Sequence, residues 1–418
     1  MKQLSALLLL VLLPGASVLA APLGEDLPGL LEYAREHNPG LAAARLEAEA
    51  AAQRSSAADA LPDPVLRTEL MDFTNRGSNR PASLWPSQVG ATRYLLMQSV
   101  PWFGRRDLQR DVALAQQERA SGQVAASWAE LEIKLKSSYA QYYYLSGSER
   151  LASQTLDLMS NLEKVAQTRY ANGLGVQQDV IRAQLAQTDL RSELLDLENM
   201  THHMHGRINA LLSRPNMAEL AEPLQLRAMP PAARLDWATL EAKLRARNPQ
   251  LLIAEAGVNE AEKRRALAYN NRYPGFTLGI APTQSGSQVK SWDLMVEFNI
   301  PLQQDARRAQ EGEAEAMLAA SNARKTALQD EMLAALSETV AGLETARRTE
   351  TLLATRLLPQ AELSYQSALT GYETGKVDFT TLLDAERQIL NARRQLLKAQ
   401  LEVQLRLAEL ESLIGEEL

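Results

Sequence analysis

His202, His203 and His205, with Met204 among them, form the run THHMH and make up three of the four histidines in a 418-residue chain. Imidazole suits zinc, copper or nickel. On a helix, however, positions 202 and 203 diverge by about 100°, whereas 202 and 205 share a face, so one helix offers at most two ligands. The spacing fits a solvated or seam position, with transient metal contact as the alternative. No HExxH, no GxSxG and no carboxylate pair on an expected cleft accompanies these histidines. The fragment Gly173-Leu174-Gly175 lacks the strand context of a phosphate loop. An enzyme is not expected, and no cofactor or resident metal is implied.

The other acidic candidates, Asp293 and Glu297, lie in the run WDLMVEFNI, residues 292–300. Read as a strand, it puts Trp292, Leu294, Val296, Phe298 and Ile300 on one face and Asp293, Met295, Glu297 and Asn299 on the other. Most of the remaining chain reads as helix, so the elements that position this strand decide what its carboxylates can do.

Lysine and arginine total 44 against 51 acidic residues, aromatics are only 5%, and cysteine is absent. That balance argues against a nucleic-acid partner. The missing cysteine removes disulfides, thiolate metal sites and N-terminal lipidation from consideration. Residues 1–20, with Lys2, an apolar run from Leu4 to Leu13 and a small-residue end at Ala20, read as a secretory signal peptide. No mature stretch approaches 18 unbroken apolar residues, so insertion into a membrane must be as strands.

The mature chain is written twice. Asn38-Pro39-Gly40-Leu41 is echoed by Asn248-Pro249-Gln250-Leu251, SVPWFGRRDLQRD by FNIPLQQDARRAQ, and Tyr170-Ala171-Asn172-Gly173 by Tyr372-Glu373-Thr374-Gly375. Residues 21–229 form the first repeat, with a hairpin at 64–100, and residues 230–418 the second, with a hairpin at 275–300. Each copy is expected to hold a helix of about 35 residues, two strands, a long helix, a glycine turn and a second long helix. Asp26 and Asp236 are the expected N-caps. A helix of some 65 residues would be roughly 100 Å long and must lie along partner helices, since it cannot enclose its own core.

The strand candidates are 64–73, 88–100, 275–283 and 289–300. About ten alternating residues per strand is the pattern of a transmembrane barrel, and Tyr94, Trp102, Tyr273 and Trp292 fall towards strand ends, where interfacial aromatics sit. A single hairpin fits equally a small sheet docked on helices. Four strands cannot close a membrane barrel, for which about eight is the lower limit. Two copies would give eight strands and three would give twelve with a water-filled lumen. Asp293 and Glu297 would then face that water. Arg105-Arg106 and Arg307-Arg308, at helix starts beside the strands, fit a solvated face, with contact to lipid head groups or the lumen mouth as the alternative.

These duplicated landmarks resemble the outer-membrane efflux duct proteins of the TolC family, over essentially the whole mature chain. The run SVPWFGRRDLQRDVA further resembles the branch serving heavy-metal and related cation exporters. The resemblance implies a mainly α fold with a β-barrel portion. Long antiparallel coiled-coil helices would form an α-barrel, and four transmembrane strands per protomer would join a homotrimeric twelve-stranded barrel. It also implies a passive duct in the outer membrane, served by a periplasmic adaptor and an inner-membrane transporter of RND type.

The family's periplasmic gate maps onto Asp384, with Thr381 where other members carry an acid, and onto Asp179 in the first repeat. Its adaptor-docking tip maps onto Tyr170, Gly173, Leu174, Tyr372, Gly375 and Lys376. Without a barrel, the same residues would describe a soluble periplasmic coiled-coil scaffold or a metal-binding protein using THHMH.

Overall fold

The computed structural model describes residues 23–76 and 81–418. The signal-peptide expectation falls outside them. The elements in order are α1 (Leu27–His37), α2 (Pro39–Ala57), β1 (Val65–Met71), β2 (Ala91–Val100), α3 (Arg105–Ala171) and α4 (Gln177–Leu211). They are followed by α5 (Trp237–Arg247), α6 (Pro249–Asn270), β3 (Phe276–Ser285), β4 (Gln288–Phe298), α7 (Gln304–Leu352), α8 (Leu358–Glu373) and α9 (Phe379–Ile414).

Both expected N-caps form. The Asp26 carboxylate accepts from the Gly29 N–H at 3.0 Å and the Asp236 carboxylate from the Thr239 N–H at 3.2 Å, each satisfying an otherwise orphan donor of the first turn. The single opening helix expected in each repeat does not form. It breaks at Asn38 and at Asn248, both with extended backbone, because a residue before proline is driven out of the α region. Each asparagine then fastens the break to a distant helix end. The side-chain amide of Asn38 donates to Leu211 O and that of Asn248 to Leu413 O, both at 2.9 Å. Asn248 also accepts from the Leu251 N–H at 2.9 Å, capping α6.

The chain forms two compact units, each drawn from both sequence halves: one from the segment ending at Asn38 with Glu132–Met229 and Gly342–Ala408, the other from Pro39–Leu131, Pro230–Ala341 and Glu409–Leu418.

The first unit is a helical assembly. Apolar residues at three- and four-residue spacing on α9, including Phe379, Leu382, Leu383, Ile389 and Leu390, pack with Met159 and Leu162 of α3, Leu190 of α4 and Tyr365 and Tyr372 of α8. Between α7 and α8 the chain takes a π-helical turn, Leu353–Leu357, immediately before Pro359. Proline has no N–H to give to the preceding turn and its ring crowds that turn's carbonyl, and the wider winding relieves both problems while the helix continues.

The second unit holds the sheet, an antiparallel run in the order β1-β2-β3-β4, so the two hairpins form one wall. The starts of the two long helices are tied in the same way to the ends of the shorter helices that precede the hairpins. Arg106 on α3 donates to Asp59 O at 2.5 Å, just past the end of α2, and Arg307 on α7 donates to Asn271 O, just past the end of α6. A guanidinium placed at the negative end of a helix is favourable on dipole grounds as well. These two arginines therefore serve as helix-end caps and not as the purely solvated charges that the sequence also allowed.

Candidate functional site

The register divides the sheet cleanly. Leu66 pairs with Leu96, Leu96 with Ile280 and Ile280 with Leu294, while Leu278 pairs with Val296 and Phe276 with Phe298, so all of these share one face. That face is apolar yet open: Leu66 is 65% exposed, Ile280 47%, Trp292 68% and Leu294 79%. Such a contiguous exposed apolar surface marks a partner or a membrane.

The opposite face carries Arg67, Glu69, Arg93, Asp293 and Glu297. Along β1, Arg67 lies 4.0 Å from Glu69; across the strands, Glu69 lies 4.0 Å from Arg93 and Arg93 3.8 Å from Asp293. Asp293 thus stands on the polar face, as its alternation required, but within a four-residue charge ladder. Glu297 lies opposite Thr277, further along the same face. β1 and β4 each have one edge without a partner strand among the described residues.

The second candidate region lies in the helical unit, at the turns α3–α4 and α8–α9. Gly173 and Gly375 both take positive φ, 74° and 72°. The bonds Leu174 N–H to Arg169 O at 2.8 Å and Gly173 N–H to Tyr170 O at 3.0 Å close the first turn as a Schellman motif. Lys376 N–H to Gly371 O at 2.7 Å and Gly375 N–H to Tyr372 O at 3.1 Å repeat it in the second. Only glycine takes this conformation without strain. Leu174, Val176 and Lys376 are exposed at the turns, and Val377 is half-buried.

The two tyrosines that match in sequence differ in place. Tyr170 is 49% exposed, whereas Tyr372 is buried at 3% beside the Phe379 ring. Tyr372, which the resemblance maps onto the docking tip, is therefore not at the surface of this chain but within the apolar cluster that α3, α4, α8 and α9 form together. Arg169 fastens it there, donating to Tyr372 O at 3.0 Å with the guanidinium 4.9 Å from the ring centre. Burial pushes the Tyr372 hydroxyl up in pKa, Asp179 adds to the rise and Arg169 opposes it.

Of the expected gate residues, Asp179 is half-buried. Burial raises its carboxyl pKa, Arg182 and Arg169 counter this, and Asp378 adds to the rise. Arg182 in turn donates to the Thr380 hydroxyl, linking α4 to α9. Thr381 serves a cap: its hydroxyl and N–H donate to one oxygen of Asp378 at 2.6 and 2.8 Å, and these bonds hold Asp378 below the ordinary carboxylate value. Asp384 is exposed on α9, with no ion-pair partner among the described residues. The structure therefore brings Asp179 together with Asp378 and two arginines, and leaves Asp384 apart from them within one chain.

Sequence reasoning missed Arg169, Arg182 and Asp378, although the DFTT cap pattern at 378–381 was legible. It also missed Glu386, which occupies a seam position of α9 between Leu382-Leu383 and Ile389-Leu390. Glu386 is 5% exposed and lines a cavity of about 540 Å³ with Thr155, Pro359, Glu362, Tyr365 and Arg393. Burial pushes its pKa up to about 7 against the pull of Arg387, Arg394 and Arg393.

The histidine run lies on α4. His202 and His203 are exposed and His205 is half-buried, its ring set edge-on to Tyr142 at 4.9 Å with Nε2 lacking a hydrogen-bond partner. Burial and the neighbouring His202 lower its pKa. Among the described residues no group of three or more His, Asp or Glu is placed to hold a metal ion, and no helix is long and apolar enough to cross a membrane.

An exposed apolar sheet face, a charged opposite face, two open edges and long paired helices define a subunit of a membrane duct that inserts as strands. The model of the family described as "Outer membrane efflux protein" matches residues 30–213 and 240–416, and the chain belongs to that family. It is an outer-membrane efflux channel protein with a helical extension into the periplasm. The cobalt-zinc-cadmium resistance protein CzcC of Cupriavidus metallidurans is 23% identical over 387 residues, covering 88% of this chain and 84% of that protein. The fold is shared with the outer-membrane channel OprN, at TM-score 0.79 and 19% identity over 94% of this chain and 91% of that one. CusC matches at TM-score 0.79 and 17% identity over 97% and 96%, and VceC of Vibrio cholerae at 0.77 and 18% over 94% and 96%.

Proposed function

We propose that three copies of this chain close one twelve-stranded barrel and serve as the passive exit duct of a tripartite efflux pump, fed by a periplasmic adaptor and an inner-membrane transporter of RND type. The observation that supports this most is the four-stranded wall with an exposed apolar face and two unpaired edges. Each open edge placed in lipid leaves backbone groups unsatisfied at several kcal/mol apiece, and neighbouring copies remove that cost. Arg67, Glu69, Arg93, Asp293 and Glu297 then line the water-filled lumen.

The turns at Gly173 and Gly375 form the periplasmic tip, where exposed Leu174, Val176, Tyr170 and Lys376 meet the adaptor. Asp384, repeated three times about the axis, forms the acidic constriction. Asp179 with Arg169 and Arg182 latches the two hairpins within each chain, and Thr381 supports the start of α9. The residues 21–229 and 230–418 act as two copies of one building block, each giving the wall a hairpin and the duct two helix layers.

The cargo we favour is divalent transition-metal cations, supported by the similarity to CzcC. Deletion followed by growth on cobalt, zinc and cadmium salts, dyes and bile salts tests it. Hypersensitivity to the metals alone is the expected result; unchanged metal tolerance with new sensitivity to dyes or bile salts overturns the cargo assignment.

A further inference from the structure

In the β1–β2 connection, residues 72–76 and 81–90 lie at the ends of the strands remote from α3. Its described part is a built structure. Asn75, in the left-handed region at φ 53° and only 2% exposed, donates through its amide to Pro81 O at 2.8 Å and Gln88 O at 2.9 Å. Ser83 N–H donates to Phe73 O at 2.9 Å, the Ser83 hydroxyl to Gln88 Oε1 at 2.9 Å, Trp85 N–H to that hydroxyl at 3.1 Å, and Gln88 N–H to Trp85 O at 2.9 Å. Asparagine tolerates the left-handed region and fixes its own neighbourhood by such bonds.

The direction in which this loop folds is given by Thr92. It pairs with Leu70 and Gln284, so it belongs to the apolar outward face of the sheet, in line with Tyr94 and Leu96. Lower on that face Leu66, Leu96 and Ile280 are wide open, yet Thr92 is fully buried. Its hydroxyl donates to Pro86 O at 2.9 Å. The loop therefore turns back over the outward side of the wall, covers a hydroxyl there, and presents the adjacent Leu84 and Trp85 at 74% and 71% exposure.

We propose that Leu84 and Trp85 form an anchor in the outer-leaflet lipid surface, continuing the apolar face of the strands past their ends. The inference rests on the reading of that face as lipid-facing. Dimensions support it: at about 3.3 Å per residue and a tilt near 40°, the rows from Thr92 to Val100 rise roughly 20 Å, short of the roughly 25 Å apolar band of an outer-membrane barrel. A folded-back apolar loop fills the difference. Trp85 joins Trp292 and Tyr94 as an interfacial aromatic, an amphipathic ring at head-group level. Sealing Thr92 removes a polar group from the lipid side.

Because the chain has no cysteine, single variants Trp85→Cys, Leu294→Cys and Asp293→Cys can each carry one nitroxide label. The full chain is reconstituted in vesicles of phosphatidylethanolamine and phosphatidylglycerol, and collision with oxygen is compared with collision with a water-soluble nickel chelate. The expected result is an oxygen-to-nickel ratio at 85 severalfold above that at 293, and lower than at the deeper 294. A water-like ratio at 85 with a lipid-like ratio at 294 overturns the anchor and sends the loop to the solvent or across the barrel mouth. A water-like ratio at 294 itself overturns the underlying reading of the apolar face. Leu84→Cys serves as a second reporter, so a local disturbance at 85 alone cannot decide the outcome.

Discussion

Replacing Glu386 with glutamine keeps the side chain's volume and removes its ability to ionise. In the native packing its carboxyl is pushed from the ordinary 4.5 up to about 7, chiefly by burial. The facing groups are Glu362 and Tyr365 on α8 and Arg387, Arg393 and Arg394 on α9. Arg393 is already engaged with Glu362 at 3.5 Å and Arg394 with Glu193 at 2.5 Å, so neither is free to neutralise Glu386 without losing a partner. A raised acid favours the packed state when protonated. Its contribution is complete below about pH 4.5, is lost as pH climbs through 7, and changes no further above that. The displacement corresponds to about 3 kcal/mol per chain, most of which falls between pH 5 and pH 8.

The assay is urea unfolding of the helical part of detergent-purified protein, followed by circular dichroism across that pH range, wild type beside Glu386→Gln. All other titrating groups are common to both proteins, so the difference between them isolates Glu386. Wild type should lose about 2 to 3 kcal/mol relative to the variant on going from pH 5 to pH 8. Parallel pH profiles for the two proteins would refute the reasoning, since they would show that the carboxyl reaches water or an arginine in the folded state.

Asp384→Ala should raise ion leakage through reconstituted channels and reduce their cation preference, because the ring of carboxylates is removed from the constriction; unchanged conductance and selectivity would take Asp384 out of the gate. Arg169→Ala should loosen the tip by about 1 kcal/mol, after discounting for partial exposure of the guanidinium, and hydrogen exchange would report faster opening across 169–182 and 372–384; unchanged exchange would mean the glycine turns alone hold it. Gly375→Ala should cost about 1 kcal/mol through its positive φ, since only the end of the Arg169 side chain lies near the added methyl, 3.5 Å away; a urea midpoint equal to wild type would show that the turn can rearrange.

Periodicity made the strands legible. Alternation of Trp292, Leu294, Val296 and Phe298 with Asp293 and Glu297 depends only on the two-residue repeat of a strand, so the face assignment could be read in advance, while the pairing of β2 with β3 that joins the two hairpins could not. The caps at Asp26 and Asp236 were legible for the same local reason. The breaks at Asn38 and Asn248 were written locally in the Asn-Pro pairs, against the single opening helix expected, whereas the tie that fixes each break was not, being a carbonyl some 170 residues away, Leu211 or Leu413. Tyr170 and Tyr372 share a motif but not a neighbourhood: burial depends on Phe379 and Arg169, which no local pattern couples to the tyrosine. Glu386 left a trace as an acid at a seam position, yet its perturbation comes from three helices meeting around a cavity. Thr92 and Pro86 were invisible as a pair, since the fold-back of a loop is decided by hydrogen bonds between residues of no particular periodicity.

The claim on which the rest depends is that one chain supplies only part of a closed wall. Native mass spectrometry of the full mature chain in detergent tests it most directly. The account predicts a single folded species of three chain masses that loses solubility when detergent is removed. A folded species of one chain mass in plain buffer, with labels at 292 and 294 shielded beneath helices, would contradict it.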